Sequence, residues 1–322
     1  MLHVTNGTSV SIPQTGLPGD VVYWIDILHE GPTPAGLSLE QMSAVRARFL
    51  DDRDGRLSTR DKMLAGFRSH EEVVLWFEHD LYDQLQLIQI LDWFAGQDLG
   101  STRLSLICVD KYLGMLTPQE LLAFFPLRHE VSDAELKLGA AAWTTFCSPD
   151  PSQIENLLRG DTSPLPYLAR ALTRHLQQFP STHNGLSRSE RQILEILSTG
   201  PRSFAATFSA AADREEAVFL GDCVVWSYIE RMRHGKPLPA VTARLDSCAD
   251  HELTPSPLVE GTREKLSITS TGEDVLHGKA DAIALNGIDR WLGGVHLIGP
   301  DSEWRWDGGK LVRKESTGAN RR

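Results

Sequence analysis

Between residues 1 and 130 the chain alternates short apolar, β-branched runs with segments of helical period, and this alternation restricts the fold more than any other feature. The runs are MLHVTNG at the start, DVVYWIDIL (20–28), EVVLWF (72–77) and RLSLICVD (103–110). Between them, SLEQMSAVRARFL (38–50) has a Ser start and an early Glu, the marks of a capped helix. LYDQLQLIQILDWFAGQ (81–97) is amphipathic and stops near Gly96 or Gly100, and TPQELLAFF (117–125) opens with a Thr-Pro N-cap and N1 pair. Strands separated by helices predict a Rossmann-like α/β domain over residues 1–130, with a mostly parallel sheet and helices on its faces.

Strand signals fade after residue 130. SDAELKLGAAAWTTF (132–146) carries a capping box at Ser132 and Glu135, and residues 131–185 read as a helical connector ending in the linker-like PSTHNG (180–185). Beyond it, LSRSERQILEILSTG (186–200) predicts a helix, and REEAVFLGDCVVWSYIERMRHG (214–235) predicts a long one broken at Gly221. KLSITSTGEDVLHG (265–278) and WRWDGGKLV (304–312) supply short β segments, the second a hairpin turning at Asp307-Gly308-Gly309. That order predicts a winged-helix-like α+β domain over 186–312, followed by a flexible tail, 313–322.

A winged helix raises the question of DNA, and charge answers against it. Residues 186–312 hold 14 Lys plus Arg and 19 Asp plus Glu, and 14 − 19 gives −5. Nucleic-acid affinity comes mainly from basic groups that neutralise phosphates, so nucleic acid is disfavoured as a partner. The aromatic-rich segment around Trp291, Trp304 and Trp306 suits a core or a homodimer interface instead. The whole chain of 322 residues has net charge −11, and no apolar run approaches the ~18 residues of a membrane helix. Its four cysteines (Cys108, Cys147, Cys223, Cys248) form no CxxC pair and read as reduced thiols in or near cores. With no signal-peptide pattern at MLHVTNGTS, these features predict a soluble cytoplasmic protein without membrane partners.

Open α/β sheets bind ligands beyond the carboxyl ends of their strands. The first strand ends in Asn6, Gly7, Thr8 and Ser9; the second carries Asp26, then His29 and Glu30. The third ends in Glu78, His79 and Asp80, with Asp83 and Gln84 in the next turn, and the fourth ends in Asp110 and Lys111. Ionisable groups directly behind VVLWF are costly unless solvated, paired or coordinated. We therefore expect Glu78, His79, Asp80 and Asp26 to be catalytic, and Asn6, Gly7, Ser9, His29, Glu30, Asp83, Gln84 and Asp110 to bind a ligand. His79 would be a general base with its pKa raised by neighbouring carboxylates, and the carboxylates an oxygen nest for Mg²⁺ or Mn²⁺. Asp83 has a simpler account as a helix N-terminal acid, and Asp80 as an N-cap. Ser9 beside a histidine is a conceivable nucleophile, although no GxSxG elbow is present.

Three segments, HVTNGTSV, WIDILHEGPTPAGLS and LWFEHDLYDQLQL, resemble the bacterial domain of unknown function DUF1835. LSRSERQILEIL, ITSTGEDVLHGKAD and RWLGGVHL with WRWDGG resemble DUF3658, a domain that commonly follows it. The chain departs from the first pattern at Thr8, where the family favours Asp. The resemblance implies the architecture and assigns no activity. The expected function is binding of a small anionic or nucleotide-like ligand at the strand ends, with metal-assisted hydrolysis or transfer. The alternatives are a ligand-responsive DNA-binding regulator and an interaction module without catalysis.

Overall fold

The computed structural model describes residues 1–235, 240–245 and 264–313. They form two units: Met1–Arg174 together with Trp291–His296, and His175–Arg290 together with the chain from Leu297 onward. The helical segment after residue 130 thus lies largely with the first unit. Cys248 and the tail 314–322 lie outside the described residues.

The first unit opens with β1 (Leu2–Thr5) and β2 (Asp20–Tyr23), then α1 (Leu39–Phe49), α2 (Arg56–Ala65), β3 (Glu72–Phe77), α3 (Leu81–Ala95) and β4 (Arg103–Cys108). It continues through α4 (Pro118–Phe124), β5 (His129–Glu130), α5 (Asp133–Phe146) and α6 (Ser152–Leu158), and its boundary falls within α7 (Leu168–Leu176). The sheet order is β2-β1-β3-β4-β5, with β1 to β4 parallel and the short β5 antiparallel at the edge. β3 is buried at all six positions, as expected of a central strand covered on both faces. The N-caps Ser38 of α1, Thr117 of α4 and Ser132 of α5 stand where the sequence places them, and each forms a capping box, with Gln41, Glu120 and Glu135. α5 lies against α3 so closely that a Cβ on Gly139 would sit 2.5 Å from the Leu91 Cβ.

Two local departures from expectation have clear causes. The second apolar run pairs only as far as Tyr23; Trp24 then turns into the core and donates to Gln89 Oε1 at 2.9 Å. α2 carries no sequence signal because its N-cap is Gly55, at φ +67°, and its first amides are satisfied from outside by Asp52.

The second unit contains α8 (Arg188–Leu197), β6 (Arg202–Ser203), α9 (Phe204–Ala212), α10 (Asp222–Arg233), β7 (Val241–Leu245) and β8 (Glu264–Ile268). α11 (Ser270–Leu276), α12 (Ala282–Asn286), β9 (Ile288–Leu292), β10 (Val295–Gly299), β11 (Trp304–Trp306) and β12 (Leu311–Arg313) complete the described chain. β6, β8 and β7 form an antiparallel sheet in that order, and β11 pairs with β12 around a turn in which Asp307 accepts from the Gly309 and Lys310 amides. The long helix expected over 214–235 forms only from Asp222, with Gly221 as its N-cap, while FAATFSAAA makes a separate helix. Cys147 is buried and Cys108 half-buried, but Cys223 is exposed, which corrects its expected place in or near a core. No helix among the described residues is long and apolar enough to cross a membrane.

Candidate functional site

β1 and β3 are parallel neighbours, so their carboxyl ends lie side by side at the edge of the sheet where open α/β proteins bind ligands. Asn6 follows β1 directly, and Glu78, His79 and Asp80 follow β3, its neighbour in register. Asn6 and the segment Glu78-His79-Asp80 are thus brought together at these two strand ends.

Glu78, Asp80 and Asp83 bring one carboxylate oxygen each within 4.8 Å of the others, and all three are more than nine-tenths buried. Each is oriented by backbone. Asp80 is the N-cap of α3, its Oδ1 accepting from the Tyr82 and Asp83 amides at 2.8 and 3.2 Å. Asp83 Oδ1 accepts from the Glu78 amide at 2.8 Å, and Glu78 Oε1 from the Leu113 amide at 2.7 Å in the turn after β4. Asn6 Nδ2 donates to Asp83 Oδ2 at 2.6 Å, while the buried Asn6 Oδ1 has no partner among the described residues. Gln84 Nε2 closes the floor by donating to the Glu78 carbonyl at 2.7 Å. Asp83 is therefore central to the cluster, and its place in the first turn of α3 does not by itself account for it.

No basic side chain among the described residues forms an ion pair with any of the three. Burial first, then the charge of Glu78, pushes Asp80 up to about 7. Burial and the Asp80 and Glu78 charges hold Asp83 well above the carboxylate range, and burial raises Glu78 against the pull of the Leu113 amide. The other buried acids behave differently. Glu72 is ion-paired to Arg128 and Arg103, and although burial is its largest influence, hydrogen bonds from Arg128 and Ser105 bring its pKa below the usual value. Asp26 is held by Arg46 through two nitrogens at 2.7 to 3.2 Å, and the same guanidinium ties down the Ile27 and Glu30 carbonyls. That pairing makes Asp26 an anchor for the loop after β2, apart from the three carboxylates that lack a basic partner.

His79 points to a neighbouring environment. Its ring lies 5.0 Å from that of Tyr112 and 6.0 Å from that of Tyr167, and its buried Nδ1 has no partner among the described residues. Burial, then the charge of Arg170, lowers its pKa, outweighing the opposing pull of Asp110. The expected rise from the β3 carboxylates is therefore corrected: the charges that act on this ring are Arg170, Asp110 and Lys111. Asp110 itself is exposed. His29 packs edge-on to Tyr82 at 6.0 Å, and the Glu30 carbonyl is held by Arg46. Gly7 is half-buried and Ser9 exposed; Ser9 Oγ lies 2.7 Å from where a Cβ on Gly114 would sit, which pins the β1 turn against the turn after β4.

Four contributors carried no sequence signal. They are the Leu113 amide, Tyr82, whose hydroxyl donates to the Asn6 carbonyl at 3.2 Å, Tyr167, and Cys108, whose thiol burial pushes up to about 12. Tyr82 lies inside LWFEHDLYDQLQL, where its neutral side chain gives no charge pattern to read. The others come from loops and strands remote in sequence. No protein-family model and no curated protein matches the chain, so the reading of this site rests on its geometry.

Proposed function

We propose that the first unit binds a divalent cation such as Mg²⁺ between Glu78, Asp80 and Asp83, and through it a small anionic or nucleotide-like ligand. The observation that carries this reading is a buried set of three carboxylates without a cationic partner among the described residues, in a unit that pairs the buried Asp26 and Glu72 with arginines. Hard divalent ions take oxygen ligands, and the orphaned Asn6 Oδ1 adds a neutral oxygen to the carboxylates. Mg²⁺ keeps open positions for water and for ligand oxygens, so one ion reconciles an acidic pocket with an anionic ligand. Bound there, it would supply Lewis-acid polarisation for hydrolysis or transfer. The protein's part is orientation: backbone amides fix one oxygen of each carboxylate, and Tyr112 and Tyr167 flank His79 beside the pocket. His79, with its lowered pKa, is the neutral proton acceptor of that neighbourhood.

Titrating Mg²⁺ and Mn²⁺ into the full chain, by calorimetry and thermal shift, tests the reading. The native protein gains stability on binding and Asp83→Asn does not. Absence of binding up to ~10 mM in the native chain would overturn it. A second reading follows from Asp80 at about 7: the three carboxyls share protons and act as an acid–base set without metal. The same titration separates the two.

For the second unit we propose a winged-helix-like fold. The order α8, β6, α9, α10, β7, β8 and the sheet order β6-β8-β7 support it. The −5 balance of residues 186–312 supports packing or homodimerisation over DNA reading.

A further inference from the structure

The second unit contains a cavity of about 640 Å³, a size suited to a small organic molecule. Arg188, Arg191, Arg214, Asn184 and Trp306 are among its walls, and the acidic walls are Glu195 and Asp307. Three arginines thus face two carboxylates, and their pairing is uneven. Arg188 is engaged by Gln177 Oε1 and Glu216, each at 2.7 Å, and Arg214 by Glu195 at 2.7 Å. Arg191 reaches the same Glu195 only at 3.7 Å, and its guanidinium makes no hydrogen bond among the described residues. Of the three, Arg191 is therefore the most loosely paired.

Asn184 supplies an independent sign of a ligand. It is 1 % exposed. Its Oδ1 accepts from Ser181 Oγ at 2.7 Å and from the Leu186 amide at 3.2 Å, and the backbone donor fixes which amide atom is oxygen. Nδ2, on a residue of the cavity wall, is a buried donor without an acceptor among the described residues. Such a group is costly unless something accepts from it. Trp306 is the half-buried aromatic of the wall, with its backbone fixed by hydrogen bonds to the Pro180 carbonyl and from the Thr182 amide, both at 2.8 Å. His183 stands beside it in the wall, over Gly278: at φ +71° that residue has no Cβ to strike the imidazole, which would lie 2.3 Å away.

We infer that this cavity is a ligand site separate from the carboxylate cluster of the first unit, and that it takes a phosphate monoester joined to a planar ring, of the nucleoside monophosphate class. Asn184 Nδ2 and the Arg191 guanidinium receive the phosphate oxygens, a pairing that guanidinium geometry favours. Trp306 offers its face to the ring. The inference does not depend on cation binding in the first unit.

Calorimetry on the full chain with AMP, GMP, CMP and UMP, and with adenosine and inorganic phosphate as single-part probes, tests it. At least one monophosphate binds ~10-fold more tightly than adenosine and than phosphate. Arg191→Ala, at an exposed side chain, lowers that affinity at least ~10-fold. Asn184→Asp does the same while keeping the acceptor for the Leu186 amide, with circular dichroism confirming its fold. Asp83→Asn leaves the affinity within ~2-fold, which separates this site from that of the first unit. The inference is overturned if no monophosphate binds at ~1 mM, if inorganic phosphate alone binds as tightly, or if Arg191→Ala leaves the affinity unchanged.

Discussion

Asp80→Asn removes one charge from the buried cluster while keeping the helix cap, since Asn and Asp cap equally well and the Oδ1 that accepts from the Tyr82 and Asp83 amides is retained. In the native chain, burial and the charge of Glu78 carry this carboxyl from the ordinary 3.8 to about 7. Between those two values the folded protein holds a proton that the unfolded chain has released. Its contribution to stability is therefore present in full below 3.8 and is lost as pH rises toward about 7. That difference is roughly a thousandfold in proton affinity, or about 4 kcal/mol at about 1.36 kcal/mol per tenfold. Hydrogen exchange of the β3 and α3 amides in EDTA, corrected for intrinsic rates, reads the first unit alone. From pH 5 to pH 8 the native chain should lose on the order of 2–3 kcal/mol of protection. Asp80→Asn should lose markedly less and be the more stable of the two at pH 8. Millimolar Mg²⁺ should restore the native chain at pH 8 and leave the variant unmoved. Equal pH slopes in the two proteins would refute the reasoning from burial and repulsion.

Asn6→Ala removes the orphaned Oδ1 and the donor to Asp83; cation affinity measured by Mn²⁺ calorimetry should fall ~10-fold, with ~1–3 kcal/mol lost in urea unfolding. Arg46→Ala strands the Asp26 carboxylate in a fully buried site, and unfolding should show a loss of ~3–5 kcal/mol, partly recovered by adding Asp26→Asn. Gly294→Ala places a Cβ 1.8 Å from the Cys147 carbonyl oxygen, a backbone atom that cannot move aside cheaply; the melting temperature should drop by an amount equivalent to at least ~2 kcal/mol.

What the sequence discloses and what it withholds divide along a physical line. β3 and α3 are readable because a run of apolar residues and a capped amphipathic segment are local properties, and their meeting at Glu78-His79-Asp80 follows from chain direction alone. The parallel sense of β2, β3 and β4 is readable for the same reason, since the helices between them leave few other connections. Sheet order is not a local property, and the sequence does not show that β1 lies beside β3, putting Asn6 on Asp83. α2 escapes because its cap is a glycine whose donors are satisfied by Asp52, outside the helix.

The same limit decides which acids are functional candidates. In sequence, Asp26, Glu72 and Asp83 are alike: each is an acid beside or within an apolar run. The structure gives the first two guanidiniums from residues 20 to 56 positions away and gives Asp83 only neutral amides, the Asn6 side chain and the Glu78 backbone. A buried carboxylate with an arginine is satisfied, and holding chain segments together accounts for it. Three without one, close enough to repel, are tolerable when they keep their protons or share a cation. The absence of a counter-charge among the described residues, more than the acidity of the motif, is what makes the end of β3 the candidate site, and the pH slope of the EDTA-treated protein tests it directly.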